Sequence, residues 1–288
     1  METKDLIRKI HRLEIKTKGI TRQLLSGNYH SAFKGSGMEF SEVREYAAGD
    51  EVRAIDWNVT ARYSSPYVKV FDEEREINVM LLVDISASTV FGTTTKSKKE
   101  LAIEIAAVIA FSASANNDKI GLITFSDKIE QYIPSKKGRK QALLIVKELI
   151  EKEASSPRTS IDEALKFIRI TQKKRSVVVL ITDGIDEHDF FDLLKQTKKQ
   201  HDVIVIHIND PGEKNLPAIG HLQLINPETK EKTWFNSNSN EQQNWLKQLT
   251  ESQQEKLKAE LSKNRIDYIS CSTEEDVIKP LIQLFQRR

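Results

Sequence analysis

The sequence has little cysteine, few histidines and almost no net charge. Cys271 is the single cysteine, and six histidines are scattered along the 288 residues. A chain with one cysteine forms no intramolecular disulfide and no cysteine-rich zinc site, which favours a reducing compartment such as the cytoplasm. The 44 Lys and Arg residues nearly balance the 42 Asp and Glu residues. This balance argues against a protein that binds nucleic acid through bulk charge.

Long apolar runs are also missing. Charged residues interrupt the apolar residues of the N-terminus, so it lacks the apolar core of a signal peptide. The longest apolar run, at residues 102–111, contains Glu104 and is too short to cross a bilayer. The sequence therefore predicts no membrane span and a soluble, cytoplasmic protein. Hydrophobic residues make up 39% of the chain, which is enough for a sizeable core.

The pattern of the sequence changes near residue 75. Residues 1–18 place apolar side chains on one face and predict a helix. Residues 26–67 have no sustained period and many turn residues, which predicts an ordered but partly irregular module. From residue 76, apolar runs of strand length alternate with helical segments. We therefore predict an N-terminal signature segment over residues 1–75 and an α/β domain over residues 76–288.

The second region predicts a three-layer, doubly wound α/β fold, whose mostly parallel sheet is covered by helices on both faces. Strands are predicted at residues 77–84, 119–125, 176–183, 202–210 and 266–270, with a short edge strand at 129–134 and a polar-tipped hairpin at 222–235. Helices are predicted at residues 99–115, 138–152, 160–172, 188–200, 240–263 and 274–285. In such sheets ligands bind beyond the carboxyl ends of the strands, where the connections reverse direction.

Three polar clusters lie at or near such strand ends. The clusters are Asp84-Ile85-Ser86-Ala87-Ser88 after the first strand, Arg158-Thr159-Ser160 at the start of a helix, and Thr182-Asp183-Gly184 at the end of the strand that this helix leads into. Alternate positions of an extended loop face the same way, so Asp84, Ser86 and Ser88 converge. If the two strands are neighbours, all three clusters meet.

Hydroxyl and carboxylate oxygens without nitrogen or sulfur suit a hard cation. Mg²⁺ and Mn²⁺ prefer octahedral oxygen ligands and keep bound waters. A site with few carboxylates in direct contact with the cation would leave the cation electrophilic. One coordination position would stay open for an external anion. Two other interpretations remain. Thr159 could cap its helix, with Asp162 or Glu163 returning the bond, and Asp183-Gly184 could form an ordinary turn.

At these residues the sequence resembles the von Willebrand factor A fold with its metal-ion-dependent adhesion site, whose pattern is Asp-x-Ser-x-Ser, then a Thr, then an Asp. The resemblance implies that Ser86, Ser88 and Thr159 approach the metal through their hydroxyl groups. It implies that Asp84 and Asp183 act partly through bound water. A partner protein would supply the last ligand, usually a Glu or Asp carboxylate, and the edge strand would run antiparallel.

A second resemblance lies before the sheet. Its residues are Gly35-Ser36-Gly37-Met38-Glu39-Phe40, Val43-Arg44-Glu45-Tyr46, Gly49-Asp50-Glu51-Val52-Arg53, Ile55-Asp56-Trp57 and Thr60-Ala61-Arg62. They resemble the signature of the domain-of-unknown-function 58 family, in which the signature precedes a von Willebrand factor A-like domain. Members are typically bacterial and often encoded beside MoxR-type AAA+ ATPases. The resemblance implies an adaptor or maturation partner of such an ATPase.

Two positions depart from that family's pattern. Thr89 stands where the family usually has Met, a change that is conservative in volume. Pro157 and Arg158 stand where the family usually has small glycines, so Arg158 would have to point outward or bind the partner's carboxylate. The alternating charges of the signature predict structural ion pairs, and Trp57 is expected to pack against the protein.

We expect a non-catalytic, metal-dependent protein-interaction module that works with a MoxR-type AAA+ ATPase on a client offering an acidic residue. The sequence has no Walker A lysine loop, no Gly-x-Ser-x-Gly elbow and no His-Glu-x-x-His pair. One alternative is a metal-dependent phosphatase or hydrolase that uses the same oxygens to activate water. Such an enzyme would need a general base, and His188 is the histidine that lies close in sequence to one of the polar clusters. The other alternative is a scaffold whose site is empty because Arg158 takes the position of the cation.

Overall fold

The computed structural model describes Glu14 and residues 39–63, 65–72, 77–186 and 189–287. These residues fall into two units, one within Phe33–Ile77 and one formed by Asn78–Arg288 with Glu14. The predicted N-terminal helix, apart from Glu14, lies outside the described residues. The same holds for residues 35–38 of the signature and for His188.

The unit within Phe33–Ile77 contains a pair of antiparallel strands and a short helix. Strand β1 (Glu39–Glu45) pairs with β2 (Tyr67–Asp72), and helix α1 (Trp57–Thr60) lies between them in the sequence. Asp56 caps this helix by accepting hydrogen bonds from two backbone N–H groups. The segment predicted to be partly irregular is therefore ordered by strand pairing and by a cap.

Ion pairs form within this unit, as the alternating charges predict. Arg44 donates hydrogen bonds of 2.7 and 2.8 Å to the two carboxylate oxygens of Asp50. The backbone N–H of Ala47 donates to the same carboxylate at 2.8 Å, so Asp50 holds the turn that follows β1. Lys69 lies 3.4 Å from Asp56.

Trp57 does not pack as expected. Its side chain is 66% exposed, so that prediction is wrong. A helix of a single turn buries one narrow face at most, and here Val59 and Thr60 are the partly buried residues.

A single sheet organises the second unit. The strands after β2 are β3 (Asn78–Asp84), β4 (Lys119–Phe125), β5 (Ile129–Lys137), β6 (Val177–Thr182), β7 (Asp202–Asn209), β8 (His221–Ile225), β9 (Lys232–Asn236) and β10 (Asp267–Ser272). In the described part of the chain, six of them form one sheet in the order β10-β7-β6-β3-β4-β5. Neighbouring strands are parallel except β4 and β5, which are antiparallel. Strands β8 and β9 form a separate antiparallel hairpin.

Helices cover both faces of this sheet. They are α2 (Lys98–Ala115), α3 (Arg139–Glu151), α4 (Ile161–Thr171), α5 (Phe191–Gln200), α6 (Asn240–Lys263) and α7 (Ile278–Arg287). On one face, Met80 and Leu82 of β3 pack in a cluster with residues of α4, α5 and α6. The alternate residues Leu81 and Val83 point to the opposite face and are also buried. Helices α2 and α3 contact the strands there.

The boundaries of the elements follow from local chemistry. Ser97 and Glu100 form a capping box that starts α2, which is buried on nearly all its faces. The last helix begins at Ile278, later than the predicted residue 274, because the carboxylate of Asp276 accepts the N–H of Ile278 at 3.1 Å. Among the described residues, no helix is both long and apolar enough to span a membrane.

The strand order confirms the predicted doubly wound fold. From β3 the chain runs outward through β4 and β5, and it then returns to β6 on the other side of β3. The connections therefore reverse direction between β3 and β6. A crevice at the carboxyl ends of these two strands is the expected position of a ligand.

Candidate metal centre

The first polar cluster forms a tight loop at the end of β3. Asp84 accepts the backbone N–H of Ser86 at 2.9 Å through Oδ1, and Thr89 Oγ1 donates to the carbonyl of Ser86 at 2.7 Å. These bonds turn the chain so that Ser86 Oγ lies 3.0 Å from Ser88 Oγ. Asp84, Ser86 and Ser88 are all buried. The loop therefore presents two hydroxyl groups at one point.

The end of β6 adjoins this loop, as strand pairing requires. Strands β3 and β6 are neighbours, and Thr182 Oγ1 donates to Asp84 Oδ2 at 2.9 Å. Thr182 also accepts the N–H of Gly184 at 3.1 Å. The turn at Asp183-Gly184 is real, since Gly184 has a φ of +71°, and it places the buried Asp183 beside Asp84. Thr182 was not among the predicted ligands.

Thr159 joins the site from the loop before α4. The carbonyl of Pro157 accepts the N–H of Ala87 at 3.0 Å, which connects this loop to the one after β3. Ser160, and not Thr159, caps α4 by accepting the N–H of Glu163. Thr159 is buried, and its hydroxyl donates to Glu228 Oε1 at 2.8 Å. All three sequence clusters meet.

Arg158 is exposed. Its side chain therefore does not take the position of a cation among the buried oxygens, and the alternative of a scaffold emptied by Arg158 has no structural basis.

Lys98 is a neighbour of the site that the sequence did not reveal. Its Nζ lies 2.8 Å from Asp183 Oδ2 and 2.5 Å from Glu213 Oε1. Burial alone would lower the pKa of Lys98, but the two carboxylates raise it above its ordinary value. Lys98 stands in the segment Lys96-Ser97-Lys98-Lys99 near a helix start, and nothing in this segment distinguishes the fully buried lysine from the two that are partly buried.

His207 is a second neighbour that was missed, although it lies near the end of a predicted strand. It hydrogen-bonds with the hydroxyl of Ser270 at 3.4 Å and with the backbone of Asp183. Burial lowers the pKa of His207 to about 4, so the ring is neutral near pH 7. Its hydrogen bonds hold it as part of the structure that supports Asp183.

The electrostatics of the site favour bound positive charge. Burial raises the pKa of Asp84 to about 7, the charge of Asp183 adds to this rise, and hydrogen bonds from Ser86 and Thr182 oppose it. Buried carboxylates that repel each other would be stabilised by a divalent cation.

The donor set also fits such a cation. In the described ranges, no group of three or more His, Cys, Asp and Glu side chains is arranged to hold a metal ion. A cation here would therefore depend on the three hydroxyl groups of Ser86, Ser88 and Thr159, with Asp84 and Asp183 behind them. Such an all-oxygen set suits Mg²⁺ or Mn²⁺.

Two mycobacterial proteins are similar in sequence. An uncharacterized protein of Mycobacterium tuberculosis strain H37Rv is 29% identical over 219 residues, which is 75% of this chain and 69% of that protein. An uncharacterized protein of Mycobacterium bovis matches with the same values of 29%, 75% and 69%.

The fold is also found among solved structures. An aerotolerance-related membrane protein from Bacteroides fragilis, carrying multiple mutations to serines, has a TM-score of 0.51 at 18% identity, covering 74% of this chain and 100% of that chain. A von Willebrand factor type A structure from Catenulispora acidiphila has a TM-score of 0.38 at 15% identity, covering 50% of this chain and 35% of that chain. The first likeness concerns the fold alone, and the second is too low to support an argument.

A protein-family model also matches the chain. The model described as "Protein of unknown function DUF58" matches residues 42–256. This range includes most of the signature and all five residues of the candidate metal centre. The chain therefore belongs to the family of proteins of unknown function DUF58.

Proposed function

We propose that this protein is a non-catalytic, metal-dependent protein-interaction module. Its Mg²⁺ or Mn²⁺ ion would be held at Asp84, Ser86, Ser88, Thr159 and Asp183, and it would bind a carboxylate of a partner protein. The observation that carries this proposal is the meeting of the Ser86 and Ser88 hydroxyls, 3.0 Å apart, with Thr159 and two buried aspartates at the reversal point of the sheet. Neutral hydroxyl ligands leave much of the cation's charge for an external anion.

The existing hydrogen bonds support different roles for the hydroxyls and the aspartates. Both oxygens of Asp84 accept hydrogen bonds, one from Ser86 and one from Thr182. Both oxygens of Asp183 are also engaged, one by Lys98 and one by the N–H of Ile185. The aspartates would therefore act through bound water and charge, while the three hydroxyls would contact the cation directly.

The proposed partners are a MoxR-type AAA+ ATPase and a client protein that offers an acidic residue, with both contacts made in the cytoplasm. The signature of residues 35–62 supports the first partner, through the family resemblance. The charge at the site supports the second, because a cation held mainly by neutral hydroxyl groups keeps the charge that attracts a carboxylate.

A metal-dependent phosphatase is the competing proposal, and the structure supports it less. Such an enzyme needs a base within hydrogen-bonding distance of the attacking water. His207 lies beside Asp183, but its hydrogen bonds to Ser270 and to the backbone of Asp183 already engage it. Turnover of p-nitrophenyl phosphate with Mg²⁺ or Mn²⁺, abolished by Ser86→Ala, would favour the enzyme.

Metal titration followed by partner capture tests the proposal. We expect the wild-type protein to bind Mn²⁺ in calorimetry, and Ser86→Ala and Thr159→Val to bind it at least about tenfold more weakly. Ser252→Ala is the matched control, since Ser252 is an exposed serine of α6 whose hydroxyl donates to the backbone carbonyl of Leu249. Proteins captured from native lysate should be lost with EDTA and with Ser86→Ala. Capture that survives both treatments contradicts metal-dependent binding.

A further inference from the structure

The hairpin of β8 and β9 brings an acidic residue to the candidate metal centre. Glu228 lies in the turn between the two strands. The side chain of Asn226 accepts the backbone N–H groups of Glu228 at 2.9 Å and of Thr229 at 3.2 Å. The N–H of Asn226 donates to the carbonyl of Glu231 at 2.9 Å. These bonds order the turn, so the backbone sets the direction of Glu228.

Glu228 contacts the hydroxyl groups that are the proposed direct ligands. Thr159 Oγ1 donates to Glu228 Oε1 at 2.8 Å, across 69 positions of sequence. The hydroxyl of Ser88 also donates to this carboxylate. Glu228 is half-buried, although a glutamate in a polar turn is ordinarily solvated. The turn therefore inserts a carboxylate among the hydroxyl groups, where a partner's carboxylate is expected to bind.

The charge around Glu228 is unfavourable without a cation. Burial raises the pKa of Glu228, and the charge of Asp183 raises it further, while the hydroxyls of Thr159 and Ser88 oppose the rise. Asp84 and Asp183 already repel each other at the same site. Lys98 donates to Oδ2 of Asp183. A divalent cation between the hydroxyls and Glu228 would replace this repulsion with attraction.

We propose that Glu228 is a metal ligand supplied by the chain itself, in the coordination position that a partner's carboxylate takes. This inference rests on the proposed function, because it requires a cation at the hydroxyl cluster. An acidic residue of a partner then has to displace Glu228, and an intramolecular carboxylate competes at a high effective concentration. The hairpin thereby excludes weakly binding carboxylates and admits a partner that gains additional contacts.

Binding of Mn²⁺ to the full chain, followed by water-proton relaxation, tests this proposal. The method reports both the affinity and the number of waters on the bound ion. Glu228→Gln keeps the shape of the side chain and removes its charge. Glu231→Gln is the matched control, because Glu231 is an exposed residue of the same turn and its loss changes the net charge equally.

We expect Glu228→Gln to bind Mn²⁺ about tenfold or more weakly than wild type. Its bound ion should relax water protons faster, since the neutral amide oxygen binds the ion weakly and water replaces it. Acetate, as the carboxylate probe, should reduce this relaxation in Glu228→Gln and not in wild type. Glu231→Gln should match wild type in all three measurements.

One result would contradict the role of Glu228 as a ligand, and a different result would contradict the metal site itself. If wild type binds Mn²⁺ and the hydration of the bound ion is the same in Glu228→Gln, Glu228 is not a ligand, whatever the affinities, and the proposed function stands. If wild type and both variants are folded by circular dichroism and none binds Mn²⁺ or Mg²⁺, the metal site itself is disproved.

Discussion

Lys98 and Asp183 form a buried ion pair beside the candidate metal centre. Nζ of Lys98 lies 2.8 Å from Oδ2 of Asp183, and each side chain is 1% exposed. Glu213, in the turn after β7, accepts from the same ammonium group at 2.5 Å. Lys98 therefore connects α2 to the ends of β6 and β7. Because charges removed from water need partners, this contact supports the position of Asp183.

Replacing Lys98 should destabilise the protein strongly. Lys98→Met keeps most of the side-chain volume and leaves the carboxylates of Asp183 and Glu213 without their cation. Removing one partner of a buried ion pair costs about 3–5 kcal/mol. We expect the free energy of unfolding in urea to fall by about this amount without metal.

Lys147→Met is the control for this prediction. Lys147 and Glu151 form an exposed pair on α3 with an N–O distance of 3.7 Å. An exposed pair of this kind contributes at most about 1 kcal/mol. Equal destabilisation by Lys98→Met and Lys147→Met would contradict a structural role of Lys98.

Binding of Mg²⁺ should depend on pH through Asp84. The raised pKa of Asp84, about 7 without metal, means that the cation competes with a proton below neutrality. The apparent affinity should fall by up to about tenfold for each pH unit below 7 and should level off above it.

Calorimetry in two buffers of different ionisation enthalpy measures this competition. Close to one proton should be released for each Mg²⁺ at pH 6, and almost none at pH 8. An affinity that is constant from pH 6 to pH 8 would show that Asp84 is already ionised in the metal-free protein.

Protonation of His207 should destabilise the fold in acid. Its pKa is about 4 in the folded protein and near 6.5 in an unfolded chain. The unfolded state binds the proton first, so this contribution to stability is complete above pH 6.5 and declines as the pH falls. The loss of stability should amount to about 3 kcal/mol once the pH reaches 4.

The difference in unfolding free energy between wild type and His207→Gln isolates this contribution. As the pH falls from 6.5 to 4, the unfolding free energy of wild type should decrease relative to that of the variant, because glutamine does not titrate. A difference that is independent of pH over this window would mean that the buried ring is already protonated or remains accessible to water.

Thr182 should matter for metal binding without being a ligand. Its hydroxyl donates to Asp84 and accepts from the N–H of Gly184. Thr182→Val leaves the buried carboxylate of Asp84 and the partly buried N–H of Gly184 without this partner, which should cost about 1–3 kcal/mol. It should also raise the pKa of Asp84 further and weaken Mn²⁺ binding most strongly below pH 7.

Thr197→Val serves as the comparison for Thr182. Thr197 is a buried threonine of α5 whose hydroxyl donates to the carbonyl of Leu193 on its own helix. This variant should bind Mn²⁺ like wild type. Loss of affinity in both variants would indicate a general effect of destabilisation and not a role of Thr182 in positioning Asp84.

Local pattern was sufficient to predict the strands of the six-stranded sheet and one part of the site, but not strands β1 and β2. The apolar run at residues 77–84 predicts a buried strand, and the alternation of Asp84, Ser86 and Ser88 predicts that they converge. Both predictions use a pattern of a few consecutive residues. A strand buried on two faces is apolar at every position, and alternate side chains of an extended loop point the same way. The antiparallel edge strand and the reversal of the sheet also follow from the resemblance at these residues.

The sequence by itself determined the sheet, its helices and the polar loop after β3, because periodicity and turn chemistry act between near neighbours. Only the tertiary structure decided which distant charges join that loop. Lys98, Glu213 and Glu228 lie on a helix, a turn and a hairpin tip, where charged residues are ordinarily solvated. The burial of Lys98 and the partial burial of the two glutamates depend on packing between elements far apart in the chain, and no local pattern predicts it.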